Sequence, residues 1–271
     1  MPTSTPMSPI TRLIFWFVAV NALAGALSLM LLPGQTDRLF FWTIRPPINA
    51  ALFGALYFGG AAATGVAAWR GRWEPARYLI PVLVSAGILI SLTTLAHLDR
   101  FAPGFRLAYW LVVYIGAPVL AVLIYIGQER SGANWSAHEP ARPATRVLAV
   151  AVGATLLVAG AAVVVAPGLV VAHWPWPTTP LIVRIFTSWF SAFGVGLVWF
   201  AVERDWGRLR PIANLMIAAA ALDLLMTVIH RGDVPGLGTF FWVYCAHLIL
   251  LGALGGAMHW LQLGGQRVGA E

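Results

Sequence analysis

The residues of this chain with the means to do chemistry are few, and they concentrate between Pro180 and His247. Arg184, Asp223, His230 and His247 lie inside, or at the edge of, segments otherwise apolar enough for a bilayer. An ionisable group placed there is costly and is a functional candidate by default. In segment 181–202, Ser188 and Ser191 follow Arg184 at i+4 and i+7, so all three share one helical face. In segment 211–230, Asp223, Thr227 and His230 repeat that spacing, and in 239–262 Tyr244 and His247 occupy neighbouring turns. Three consecutive helices therefore bring polar groups to similar depth near one membrane face. The candidate ligand-binding set is Arg184, Ser188, Asp223, Thr227, His230, Tyr244 and His247.

Within that set the charges suggest a pair. Arg184 falls in the first turn of its helix, where a cation opposes the helix dipole unless an anion compensates. Asp223 is the one carboxylate deep within any apolar segment, and unpaired it is expensive to keep there. A contact between Arg184 and Asp223 resolves both difficulties. It serves either as a structural tie, with Arg184 reaching towards the headgroups, or as an anion or proton site shared with His230 and His247.

Histidines allow two further readings. His97 and His230 close apolar segments 78–97 and 211–230, where imidazole suits the free carbonyls of a helix end. The alternative is a membrane redox protein that binds haem or quinone through His97, His230 or His247. His247 lies two turns inside its segment, within reach of Tyr244 or Asp223 as hydrogen-bond partners.

Other chemistries leave no trace. There is no glycine-rich phosphate loop, no His-Glu-x-x-His pair and no nucleophile elbow around Ser188 or Ser191. A lone cysteine, Cys245, cannot form an intramolecular disulfide or a thiolate cluster. The sequence requires no cofactor and no metal, and a non-enzymatic role is expected.

The elements that position these residues are membrane helices. Of 271 residues, 59% are hydrophobic and only 10% charged, which is not a soluble composition. Mean hydropathy is +0.79. Eight segments are long enough to span: 10–32, 48–69, 78–97, 106–127, 146–166, 181–202, 211–230 and 239–262. The expected fold is an all-α integral membrane protein with eight transmembrane helices.

Those helices fall into two copies of one unit. Thr11-Arg12 and Thr145-Arg146 open corresponding segments, which end at Pro33-Gly34 and Pro167-Gly168. After a one-residue deletion, Pro47 matches Pro180, Trp73 matches Trp206, Arg77 matches Arg210, Thr94 matches Thr227 and His97 matches His230. Arg184 then aligns with Ala51 and Asp223 with Ile90, so the second unit alone carries both charges. Matches over nearly the whole chain imply duplication. The first apolar segment resembles a signal peptide, but its match to the fifth argues that it is retained. Residues 1–127 and 146–271 form two four-helix repeats, parallel because each has an even number of spans. The polar stretch 128–145 joins them.

Orientation follows from arginine, since lysine is absent. Eleven arginines fall on the side that holds both termini, loop 70–77, the 128–145 linker and loop 203–210, against six on the other side. That bias puts both termini in the cytoplasm of a cell-membrane protein. Phe40, Phe41, Trp42, Trp174 and Trp176 on one side, and Trp73 and Trp206 on the other, suit interfacial belts. Ala61-x-x-x-Gly65 and Gly252-x-x-x-Gly256 suit close helix packing. The +7 net charge is explained by topology and not by nucleic acid. The expected activity is binding or transport of a small solute, or service as an accessory subunit to a membrane-protein partner.

Overall fold

A computed structural model describes residues 4–263; Arg267, counted above, lies outside them. Every regular element among the described residues is helical. The long helices are α1 (Pro9–Leu31), α2 (Pro47–Arg70), α3 (Leu79–Leu95), α4 (Phe105–Arg130), α5 (Pro143–Val165), α6 (Pro180–Val198), α7 (Trp206–Ile229) and α8 (Thr239–Leu263). Seven of them are long and apolar enough to cross a membrane; α3, at 17 residues, is apolar but shorter.

Local sequence explains where they start. Proline occupies the first helical position of α1, α2, α5 and α6, where its missing N–H costs nothing. Side chains of Ser8, Thr179 and Asp205 accept the free N–H groups of Thr11, Ile182 and Arg208. The Asp205 cap starts α7 at Trp206, five residues before the start expected from Pro211, which sits inside the helix. Gly71, at φ 60°, ends α2 in the left-handed conformation that glycine tolerates best.

Helices α2 and α6 form the centre. Helix α1 packs on α2, and α5 packs on α6. Helix α3 lies against α6 and α4, while α7 lies against α2 and α8. The first half of the chain thus lends α3 to the central helix of the second, and the second half lends α7 to that of the first. Between α5 and α6 the backbones nearly touch: a Cβ on Gly153 would stand 2.7 Å from Gly194 O. Likewise a Cβ on Gly255 of α8 would stand 2.8 Å from Ala213 O of α7. Of the expected packing motifs, Gly65 makes only ordinary contact with Ala19 and Gly256 meets nothing, whereas Gly252 approaches α7 closely, a Cβ there standing 3.3 Å from Ala220 Cβ.

Peripheral helices α1, α4, α5 and α8 expose large apolar side chains, among them Leu13, Phe17, Val112, Leu123, Val158, Ile249 and Leu250. Water would not tolerate such a surface, and lipid does. The chain is a multi-pass membrane protein in contact with lipid.

Two sets of loops gather at opposite ends of the bundle. At one end, Thr5 O accepts from Trp73 N, Glu139 O from Trp206 N, and Arg204 O from Ala141 N. The N-terminal segment, both short loops and the linker therefore share this linker end. At the other end, Asp233 accepts from Ile48 N, Asn49 donates to Pro177 O, and Ala102 N donates to Phe41 O.

The aromatic residues expected as interfacial belts are mostly internal. Phe40, Trp42, Trp73, Trp176 and Trp206 are all buried. Phe40 and Trp42 pack among Phe53, Phe101 and Trp110, and Trp176 donates its indole N–H to Asn49 Oδ1 at 2.8 Å. Proline-rich loops fold back over the helix ends, so their rings find one another before they find headgroups.

Candidate functional site

Arg184 and Asp223 do not meet. Arg184 projects from α6 to the end of α5, where its Nε donates to Val164 O at 3.1 Å. Its Nη1 lies 2.9 Å from His97 Nε2, just beyond α3. The compensation for this dipole-opposed cation is thus the carbonyl end of a neighbouring helix, whose dipole favours it, together with a neutral imidazole. Among the described residues Arg184 forms no ion pair. The expected Arg184–Asp223 pair is corrected to an Arg184–His97 contact between the two halves.

Asp223 lies on the buried face of α7, 3% exposed, and its Oδ1 has no hydrogen-bond partner. Thr227, one turn on, donates to the backbone carbonyl of Asp223 at 2.7 Å and stands 3.4 Å from the Tyr244 hydroxyl of α8. Asp223, Thr227 and Tyr244 therefore form one local group.

The remaining candidates disperse. Ser188 is buried but turned back onto its own helix, donating to Arg184 O at 2.8 Å. His230 ends α7 with its Nδ1 3.8 Å from Asp233 Oδ2. That same Asp233 oxygen accepts from Ile48 N at 2.8 Å, at the start of α2 where an anion is favoured. His247 is on the exposed face of α8, edge-on to Phe190 at 5.9 Å, and makes no hydrogen bond to Tyr244 or Asp223. His97 Nε2 already accepts from a guanidinium, and His97, His230 and His247 do not form a group of three.

A second polar assembly, at the linker end, was not anticipated from sequence. Arg77 and Glu203 are each 1% exposed, and Arg77 Nε donates to Glu203 Oε2 at 2.8 Å. Arg208 reaches the other oxygen of Glu203 at 3.4 Å and donates to Ser136 O at 2.9 Å. The Arg77 guanidinium stacks on Trp135, 3.6 Å from the ring centroid, and lies 3.9 Å from Glu129. Glu129 in turn accepts from the indole N–H groups of Trp73 and Trp135. Asp205 takes the backbone N–H of His138 at 2.6 Å as well as that of Arg208. Glu74 accepts from Thr5 N, Thr5 Oγ1 and Asn134 N. Burial alone would raise the Glu74 carboxyl, but those donated hydrogen bonds outweigh it and hold it below its usual range.

These charges pin the linker. Its residues Asn134, Trp135, Ser136, His138 and Glu139 carry no apolar periodicity, yet each is tied to a buried or half-buried charge or to α7. Their arginines look like topogenic loop charges in sequence. The available signal was that Glu74, Glu129, Glu203 and Asp205, four of the ten acids, fall beside them.

No family model matches the chain, and comparison with curated proteins and with solved structures finds no match.

Proposed function

We propose that this protein binds, and by extension carries, a small solute at the Asp223–Thr227–Tyr244 group. The observation behind the reading is the orphaned carboxyl oxygen of Asp223. A buried acceptor without a donor is destabilising by about 1–3 kcal/mol, more when charged, and persists where something outside the chain supplies the donor. A purely structural tie would have been partnered, as Arg77 and Glu203 are.

The reading includes an architecture: eight spans, with α3 as the eighth, arranged as two parallel repeats in a cell membrane with both termini cytoplasmic. Corresponding hydrogen bonds support the repeats. Gln128 joins Pro6 O, Ser8 N and Thr11 Oγ1; Gln262 joins Pro140 O, Arg142 N and Thr145 Oγ1. Arg12 reaches the carbonyls ending α2, as Arg146 reaches those after α6. Thr94 and Thr227 each donate to the carbonyl four residues back and each meet an aromatic of the next helix, Trp110 or Tyr244. The reciprocal packing of α3 on α6 and α7 on α2 has the same two-fold character. The four loops of one class share an end, and the three of the other share the opposite end with the N-terminal segment, in keeping with parallel units.

The test is a thermal-shift panel of small cationic, neutral and anionic solutes on the purified protein in detergent. At least one class should stabilise the wild type and not Asp223→Asn. Identical responses of the two proteins to every solute would remove this reading in favour of an accessory subunit.

A further inference from the structure

Resting on that reading, we infer that the solute is a monovalent organic cation of the ammonium type, held by Asp223 beside the rings of Trp176 and Tyr244 once Trp174 has moved aside.

Two independent observations meet here. The first is the Asp223 carboxyl, almost wholly buried with no donor at Oδ1. The second is the set of rings one turn nearer the helix end. Tyr244 stands edge-on to Trp174 at 5.7 Å and to Trp176 at 5.0 Å, and those two indoles are edge-on to each other at 5.7 Å. Thr227 links the two features, bound to Asp223 O on one side and 3.4 Å from the Tyr244 hydroxyl on the other.

The first half of the chain provides an internal control. Its Thr94 makes the same bond to Ile90 O, at 2.8 Å, and Trp110 donates to Thr94 at 2.9 Å in the place where Tyr244 meets Thr227. The frame therefore forms without an acid, with isoleucine at the position of Asp223. The carboxyl is an addition that the fold does not need.

The chemistry of the additions selects the ligand. A lone carboxylate attracts a cation, and aromatic faces attract one too, most strongly indole. A metal ion would require several oxygen ligands, and no group of three or more His, Cys, Asp or Glu residues gathers anywhere among the described residues. An alkylammonium needs one counter-charge, which Asp223 offers, and electron-rich ring faces; the three rings pack edge to face and leave no space between them, so a face becomes available only when one ring moves. The two indoles differ in attachment: Trp176 is fixed to Asn49 Oδ1 at 2.8 Å, whereas the buried Trp174 N–H has no partner. Displacing Trp174 breaks no hydrogen bond of its side chain, so it is the wall that opens and Trp176 the wall that stays.

The experiment titrates the full-length protein in detergent with tetramethylammonium chloride against sodium chloride at equal ionic strength, read by calorimetry and tryptophan fluorescence. The wild type should show saturable binding of tetramethylammonium. Asp223→Asn and Trp176→Leu should each weaken it at least tenfold, while Trp260→Phe, exposed on α8, should not. Asp223→Ile copies the first half and keeps the test decisive if Asp223→Asn does not fold. Unchanged tetramethylammonium binding in both Asp223 variants would overturn the site. Asp223-dependent binding of a neutral or anionic solute, with none of tetramethylammonium, would overturn the cation and leave the proposed function standing. Failure of every solute class to depend on Asp223 would overturn both.

Discussion

Arg77 and Glu203 meet side by side where the two halves of the chain join, Nε to Oε2 at 2.8 Å, with neither residue more than 1% exposed. Glu203 also serves Arg208 at 3.4 Å, so one carboxylate answers two buried cations. Breaking a buried pair strands a charge and typically costs about 3–5 kcal/mol. Glu203→Leu leaves Arg77 only the longer ionic contact to Glu129 and Arg208 only that to Asp205, each 3.9 Å, and should lie at the upper end of that range. Arg77→Met leaves Glu203 with Arg208 and should lie at the lower end. Thermal unfolding in detergent gives the order, and the double variant should cost clearly less than the sum. An Arg77→Met loss larger than that of Glu203→Leu would contradict the shared-carboxylate account.

Arg184 and Asp223 share no partner, so their effects should be independent. Arg184→Ala frees Val164 O and His97, whereas Asp223→Ile removes an orphan acceptor. The first should destabilise by about 1–3 kcal/mol and the second should be neutral or stabilising in the absence of solute. The double variant should match the sum within about 0.5 kcal/mol. A coupling well beyond that in a double-mutant cycle would mean that the two side chains do meet.

Sidedness is open to labelling. In a Cys245→Ala background, Thr43→Cys and Ser136→Cys place thiols at exposed positions on opposite ends of the bundle. An impermeant maleimide should label Thr43→Cys in intact cells and Ser136→Cys only after permeabilisation. The reverse pattern would place the linker outside.

Acid should loosen the linker end through Glu74. Its folded-state value is held below the ordinary 4.5 by hydrogen bonds from Thr5 and Asn134 that overcome burial. The stabilisation is therefore present above the unfolded value and disappears as pH falls through the lower folded one. The advantage of wild type over Glu74→Gln in thermal midpoint should be constant above about pH 4.5 and shrink below it. A difference that does not change across that window would show that the Glu74 charge carries none of it.

Much was legible along the chain. Apolar run length located the long helices to within a few residues, apart from the start of α7, which its Asp205 cap sets at Trp206. Depth and polarity singled out Asp223, because cost in an apolar segment is a property of one residue and its immediate neighbours. What needed tertiary structure was partnership. Reading Arg184 along α6 shows that it must be compensated, but α5, α3 and α7 are all within reach of such a side chain, and only packing chooses among them. Because α3 crosses to α6, the choice falls on His97 and Val164, and Asp223 is left alone. The same limit hid Arg77 and Glu203. Both sit in loops that sequence reads as wet, and they become dry only because the linker folds across them and closes the end where the two halves interlock.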